Sequence, residues 1–265
     1  MSYNTIRNKK LLFLSITLKK ITMASTSEVG HAKNIANLNL LNTNILALGI
    51  VYNPSNSNLL LANLQSIYTT SFTEQDAVNN LVAPFTFAVD DREEIFKPLN
   101  RHLTKLRKAY KATDGVTPVQ LEDLMTIIRK LKGIKKNDIT ASTNPDEAQN
   151  SYSTSQMSYD QRTNTMGLLI ALLQNTPNYN PNEIEFKVAT YQDIRTNMLA
   201  KTQAVANTFV PLNNARNARN KTLYNIDNNL VDIANKAKDY LFTILDANSE
   251  QYKAISRIKF KKIYA

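Results

Sequence analysis

The sequence predicts an all-α protein: an elongated antiparallel helical bundle built from two tandem helix–long helix–short helix repeats with pseudo-two-fold symmetry. Three observations predict it. The 265 residues include only five glycines, too few for a sheet with many tight turns. Apolar residues recur at steps of three and four over long stretches, the spacing of one helix face. Residues 52–103 laid over 179–230 without a gap are identical at fourteen of 52 positions. Unrelated sequences would share about three at ordinary residue frequencies.

The repeat is plainest in "VYNPSNSNLLLANLQ" (51–65) and "NYNPNEIEFKVATYQ" (178–192). Its identities include Tyr52/Tyr179, Pro54/Pro181, Pro84/Pro211 and Arg92/Arg219, which we take as structural repeat positions. Mismatches such as Leu59/Phe186, Phe96/Leu223 and Leu106/Ile233 keep apolar character. The unit is fold-sized, not a short solenoid motif.

The first unit reads as a helix over roughly 27–50, with Leu38, Leu41, Ile45 and Leu48 on one face, broken at Tyr52-Asn53-Pro54. A long helix follows to about Ala112. Its coiled-coil-like stripe runs Leu60, Leu64, Ile67, a polar gap at Ser71 and Glu74, then Val78, Leu81, Phe85, Val89, Arg92, Phe96, Leu99, Leu103, Leu106 and Tyr110. Thr117, Pro118 and Gln120 form a helix-start signal, and Gly133 a stop. Residues 134–157 are polar and aperiodic, the expected linker. In the second unit Ser158 and Gln161 cap the first helix, and the long helix starts after Pro181. Its seam includes Val188, Tyr191, Met198, Val205, Phe209 and Leu212, with an interruption expected near Asn225–Asn229. Asn248 and Gln251 are expected to cap a last short helix. The division is a basic extension 1–26, repeat 1 over 27–133, the linker 134–157, repeat 2 over 158–258 and a basic tail 259–265.

A helix of ~57 residues spans about 85 Å and cannot shield its own stripe from water. Pro84 and Pro211 should each kink or break a long helix at its middle. Packing the two long helices antiparallel, crossing at those prolines, predicts a four-helix cross-section at each end with every seam buried.

The formal net charge is +10, but residues 1–22 and 253–265 each carry five basic residues and no acid. The body between them is neutral, so no specific nucleic-acid partner is expected. No cysteine is present, which removes disulfides and thiolate chemistry. The start, "MSYNTIRNKKLLFLSITLKKITM", has an apolar run of eight residues followed by Lys19-Lys20, the wrong flank for a signal peptide. We expect translation from Met23 and a cytoplasmic location, with secretion left open.

No catalytic, cofactor-binding or metal-ligating residue is expected. His31 and His102 have no histidine counterparts at Ser158 and Asn229, and are expected to be partly exposed on helices. Asp90, Asp91, Glu93 and Glu94 flank Arg92 but are consecutive on a helix, so they splay around it instead of converging. Arg92 and Arg219 fall on the apolar stripe. Near the axis they would anchor carboxylates or a ligand; the plainer expectation is that their stems line the core and their heads reach water.

The segments "SEVGHAKN" (27–34), "KATDGVTP" (111–118), "SQMSYDQR" (155–162) and "LNNARNARNKTLYN" (212–225) resemble an uncharacterised family of duplicated helical proteins of Bacteroidota, especially flavobacteria. The resemblance covers about 25–260. It implies a chain that begins near Met23, and a proline after Asn225 where this chain has Ile226. It implies no activity, ligand or cofactor. The expected function is a non-enzymatic helical scaffold or protein-interaction protein, with protein partners and self-association left open. The alternative is a membrane-active pore-forming or toxin-like component, using "LLNTNILALGIVY" (40–52).

Overall fold

The computed structural model describes residues 26–133 and 158–263, with side chains from Gly30. The expected linker 134–157 lies outside the described residues, as do 1–25 and the last two residues. Among the described residues there is no strand, and the protein is all-α. The helices are α1 (Thr26–Leu48), α2 (Leu61–Phe96), α3 (Leu99–Lys111), α4 (Pro118–Lys132), α5 (Tyr159–Asn175), α6 (Val188–Asn220), α7 (Leu230–Ile244) and α8 (Glu250–Arg257).

Local chemistry sets most of the boundaries. Gly49 follows α1 with φ +55°, a left-handed turn that glycine enters without a side-chain clash. A 3-10 turn at Ser57–Leu59 then leads into α2, and a matching one at Ile184–Phe186 leads into α6. Both turns, and the starts of α2 and α6, are separated by the 127-residue offset of the sequence match. Thr117 and Gln120 make a full capping box at α4, which ends at Gly133 with φ +65°. Ser158 accepts from the Gln161 N–H at α5, and Asn229 from the Asp232 N–H at α7. The last helix is capped by Ser249, accepting from the Tyr252 N–H, and not by Asn248. Asn248 is instead held in the preceding turn, its N–H donating to Asp246 Oδ1.

The expected breaks are displaced. Pro84 and Pro211 lie inside the uninterrupted helices α2 and α6. Both prolines are exposed, so water can satisfy the carbonyls whose N–H partner each removes. The first long helix divides instead at Lys97-Pro98, between α2 and α3, and does not continue unbroken to Ala112. The second passes through a π turn at Lys221–Asn225 before the chain restarts as α7. An inserted residue of this kind appears where the ladder cannot continue as regular helix.

Helices α2 and α6 pack along much of their lengths. Asp91 pairs with Lys201 at 2.6 Å, the Phe85 and Phe209 rings lie 5.8 Å apart, Arg219 donates to Gln75 at 3.4 Å, and Thr222 to Glu74 at 3.0 Å. Numbers fall on one helix as they rise on the other, so the two run in opposite directions. That register sets Pro84 across from the neighbourhood of Pro211.

Two apolar cores result. One joins α1, the start of α2, the π turn, α7 and α8, centred on Leu38, Leu41, Leu64, Leu230 and Leu241. The other joins the end of α2, α3, α4, α5 and the start of α6, centred on Leu103, Tyr110, Leu124, Leu169 and Met198. Each fully buried side chain contributes about 1.5–3 kcal/mol relative to exposure. Between the cores the stripe is not fully covered. Of the predicted seam, Phe209 is 45% exposed and Leu81, Phe85 and Val89 are half-buried, and beside it Phe87 is 67% and Val210 55% exposed, because among the described residues α2 and α6 meet there and each shields one side of the other. The expectation of a fully buried seam fails over this stretch.

The chain after α8 is docked, in line with none of the helices. Asn34 of α1 receives the Lys261 N–H on its Oδ1 at 3.1 Å and donates from Nδ2 to the Lys261 carbonyl at 2.8 Å. Asn37 donates to the Lys259 carbonyl at 2.6 Å, and buried Lys238 to that of Ile258. Ile258 is buried, and Phe260 and Ile263 pack against the first core. A side chain at Gly30 would strike the end of Ile263, so the smallest residue stands where the segment crosses α1.

Candidate functional site

The sequence-predicted positions fall at four separate places. Tyr52 and Tyr179 do the same work in the two 127-residue-offset turns. The Tyr52 hydroxyl donates to the Leu59 carbonyl and the Tyr179 hydroxyl to that of Phe186, both at 2.7 Å. Each phenol closes its loop onto the 3-10 turn that starts the next helix. Burial, with Tyr240 nearby, pushes the Tyr52 pKa up to about 12, and burial beside Tyr110 raises Tyr179 as well. These phenols stay protonated as donors. Pro54 is buried and Pro181 half-buried within the same loops.

Pro84 and Pro211 sit at the exposed middle of α2 and α6. Arg92 and Arg219 are not a pair at that middle. The α2–α6 register places them about 17 residues apart along the bundle, about 25 Å at the helical rise. Arg92 is half-buried, with its guanidinium 3.9 Å from the Tyr159 ring centroid. Arg219 is only 3% exposed and does not reach water as expected. It donates to Gln75 and, from Nε and an Nη, to Asn220 at 3.2 and 3.0 Å. This buried polar layer occupies the gap that the α2 stripe shows at Ser71 and Glu74.

Sequence reasoning missed a third arginine. Arg162 of α5 is buried and spans two helix ends, donating to the Leu131 carbonyl at 3.1 Å and the Phe96 carbonyl at 3.3 Å. Those carbonyls close α4 and α2, where no further helical N–H is available. Burial lowers its pKa without threatening its charge. Its only sequence signal is an apolar-face position in a helix followed by Met166 and Leu169.

Each core also contains one histidine–tyrosine pair joining the two halves of the chain. His31 Nδ1 lies 2.7 Å from the Tyr224 hydroxyl, which also accepts from Asn34 at 3.2 Å. His102 Nε2 lies 3.0 Å from the Tyr191 hydroxyl. His31 is 1% exposed, so the expected partly exposed histidine is a core residue. His102 is half-buried, and burial holds its pKa below the ordinary histidine value against the pull of Glu185. Burial raises Tyr224, partly offset by the Asn34 bond and the Arg219 charge. Each imidazole–phenol contact pins two helices together. No nucleophile is activated by it.

The acidic run Asp90, Asp91, Glu93 and Glu94 is exposed and splayed. Among the described residues no group of three or more His, Asp or Glu side chains is placed to hold a metal. The two larger of the recesses that border α3 differ in chemistry. An open cleft of about 640 Å³ carries both charges, Lys105 and Lys108 facing Glu183 and Glu185, with Lys105 and Glu185 3.5 Å apart. A smaller apolar cavity of about 260 Å³ lies at the Pro98 break, lined by Ile95, Leu99, His102, Met166 and Ile194. Neither brings a nucleophile, a base and an oxyanion donor together. No protein-family model, curated protein or solved structure matches the chain.

Proposed function

We propose that this chain is a non-enzymatic helical scaffold or protein-interaction protein. It is a bundle of two tandem copies of one helical module, related by a pseudo-two-fold axis near Pro84 and Pro211, and belongs with the duplicated helical proteins of Bacteroidota that it resembles. The observation that carries the reading is the uncovered apolar surface midway along α2 and α6, where Phe87, Phe209 and Val210 face solvent between two well-packed cores. The 127-residue offset shared by the turns at Ser57–Leu59 and Ile184–Phe186, and by the Tyr52 and Tyr179 bonds, supports the duplication. A partner laid on the mid-section would shield what the two helices leave bare. The test is a photo-crosslinking residue at Phe87 or Val210 in native cells, with Glu122 as a distant control. Discrete adducts from the mid-section alone support the reading, and their absence overturns it.

A second reading, a membrane-active component, is favoured by one observation. Among the described residues one stretch, Gly30–Val51, is long and apolar enough to cross a bilayer. Dye release from liposomes at low protein concentration separates it from an inert scaffold.

A further inference from the structure

We infer that the outer face of α1 and the tip beyond it form a docking surface for an anionic lipid bilayer, used by the folded protein without perforation. The inference goes beyond the scaffold reading and does not require the pore-forming one.

Four observations converge on it. First, α1 is more apolar than its packing needs. The most apolar window of Gly30–Val51 meets the composition of a membrane span, yet only 33% of it is buried. A core helix of that composition would be mostly covered. Second, no charged residue occurs anywhere from Asn34 to Thr73. This stretch includes α1 from Asn34 onward, the loop 49–60 and the start of α2. Any surface entering the interfacial region of a bilayer must avoid burying a charge. Third, the apolar groups project. Gly49, with φ +55° and open space around it, turns the chain so that Ile50 is 97% exposed; Leu46 is 61% exposed, Val51 55% and Leu40 51%. The opposite end differs: Ile184 is exposed there, but among Glu183, Glu185, Lys105 and Lys108.

Fourth, the size and charge favour lipid over a second copy of the chain. Only four large apolar side chains project from α1 and its tip, Leu40, Leu46, Ile50 and Val51, few against the roughly 20–30 residues a side of a standard protein interface. Insertion into a bilayer needs no matching shape, only apolar groups at the right height. Positive charge sits beside the face. Lys33 is exposed on α1 itself, and Lys259 and Lys261 are exposed on the segment that Asn37 and Asn34 bind against α1. Lys259 lies against Asn37, 13 residues or about 20 Å along the helix from Ile50, so a bilayer laid along α1 meets lysines toward one end and the apolar tip at the other, combining Coulomb attraction with insertion.

Flotation of the full chain with vesicles tests this. With vesicles of phosphatidylcholine containing about a third phosphatidylserine, the protein should float, and pure phosphatidylcholine should retain at least fivefold less. The double variant Ile50→Asn/Val51→Asn should lose at least tenfold in retention, with unchanged helical melting since both side chains are exposed. Ile184→Asn at the other end should float as the original does. Failure to float, or flotation indifferent to Ile50 and Val51, overturns the docking surface and leaves the scaffold reading standing. Release of encapsulated dye from the same vesicles overturns it in favour of perforation. A stable dimer abolished by the double variant overturns it in favour of a second copy.

Discussion

The imidazole of His31 and the phenol of Tyr224 meet at 2.7 Å, although 193 residues of chain separate them. One lies on the first helix and the other in the π turn that ends α6, so the bond ties the start of the fold to its second half. Asn34 adds a second bond to the same hydroxyl, and its other amide contacts hold the Lys261 backbone. A short polar chain thus connects α1, the π turn and the docked C-terminal segment through the wall of an apolar core.

Tyr224→Phe removes the hydroxyl but keeps the ring. It removes one hydrogen bond each from buried His31 and Asn34, and the loss should be about 1–3 kcal/mol. Urea unfolding at neutral pH reads it directly. A change within 0.3 kcal/mol, by order of magnitude of an exposed site, would mean the bond is incidental.

Asn34→Ala should free the C-terminal segment while α1 persists. Amide exchange at 259–263 should accelerate far more than exchange within α1 or α7. The stability cost should be about 2–3 kcal/mol from three lost hydrogen bonds. Uniform acceleration would show that the segment and the first core unfold as one unit.

His102 makes stability pH-dependent. Its folded pKa lies below the ordinary 6.5, chiefly through burial, so the unfolded chain binds the extra proton more readily. Its contribution is fully present above pH 6.5 and is lost as pH falls from there toward the lower folded value. Unfolding free energy should therefore decline on acidification below pH 6.5, and His102→Gln should flatten that decline. Identical slopes for the two proteins would assign the acid sensitivity elsewhere.

The arginines should separate by burial. Arg162→Ala strands the Leu131 and Phe96 carbonyls away from water and should cost about 2–3 kcal/mol. Arg92→Ala removes a half-exposed contact with the Tyr159 ring and should cost about 0.5–1 kcal/mol. Denaturant midpoints for both variants, compared at one pH, check the order. The reverse order would place the important guanidinium on the α2 stripe.

Pro84→Ala restores an N–H within α2 where the side chain is exposed and the helix already continues. It should stabilise by about 1 kcal/mol, less than the full cost of proline in a helix because the local backbone has adjusted to it. A destabilised variant would mean that the proline itself is needed for the α2–α6 contact.

The sequence by itself determined the helical class and most of the punctuation. Three-four spacing of apolar residues, scarce glycine, the Thr117–Gln120 box, the Gly133 stop and the Ser158 cap are local properties, fixed by neighbours within one helical turn. Tyr52 and Tyr179 were legible as equivalent repeat positions, while the bond from each hydroxyl to a carbonyl seven residues on is seen only in the structure. Tertiary structure alone decided the rest. It chose Pro98 over Pro84 as a break, because a proline whose freed carbonyl faces water costs too little to end a helix that packs on both sides of it. It placed His31 with Tyr224 and Arg162 with the ends of α2 and α4, partners that lie 31 to 193 residues away. It also left Phe209 of the α6 stripe 45% exposed, since whether an apolar stripe is buried depends on how many other helices arrive beside it, and no periodicity along one helix records that number.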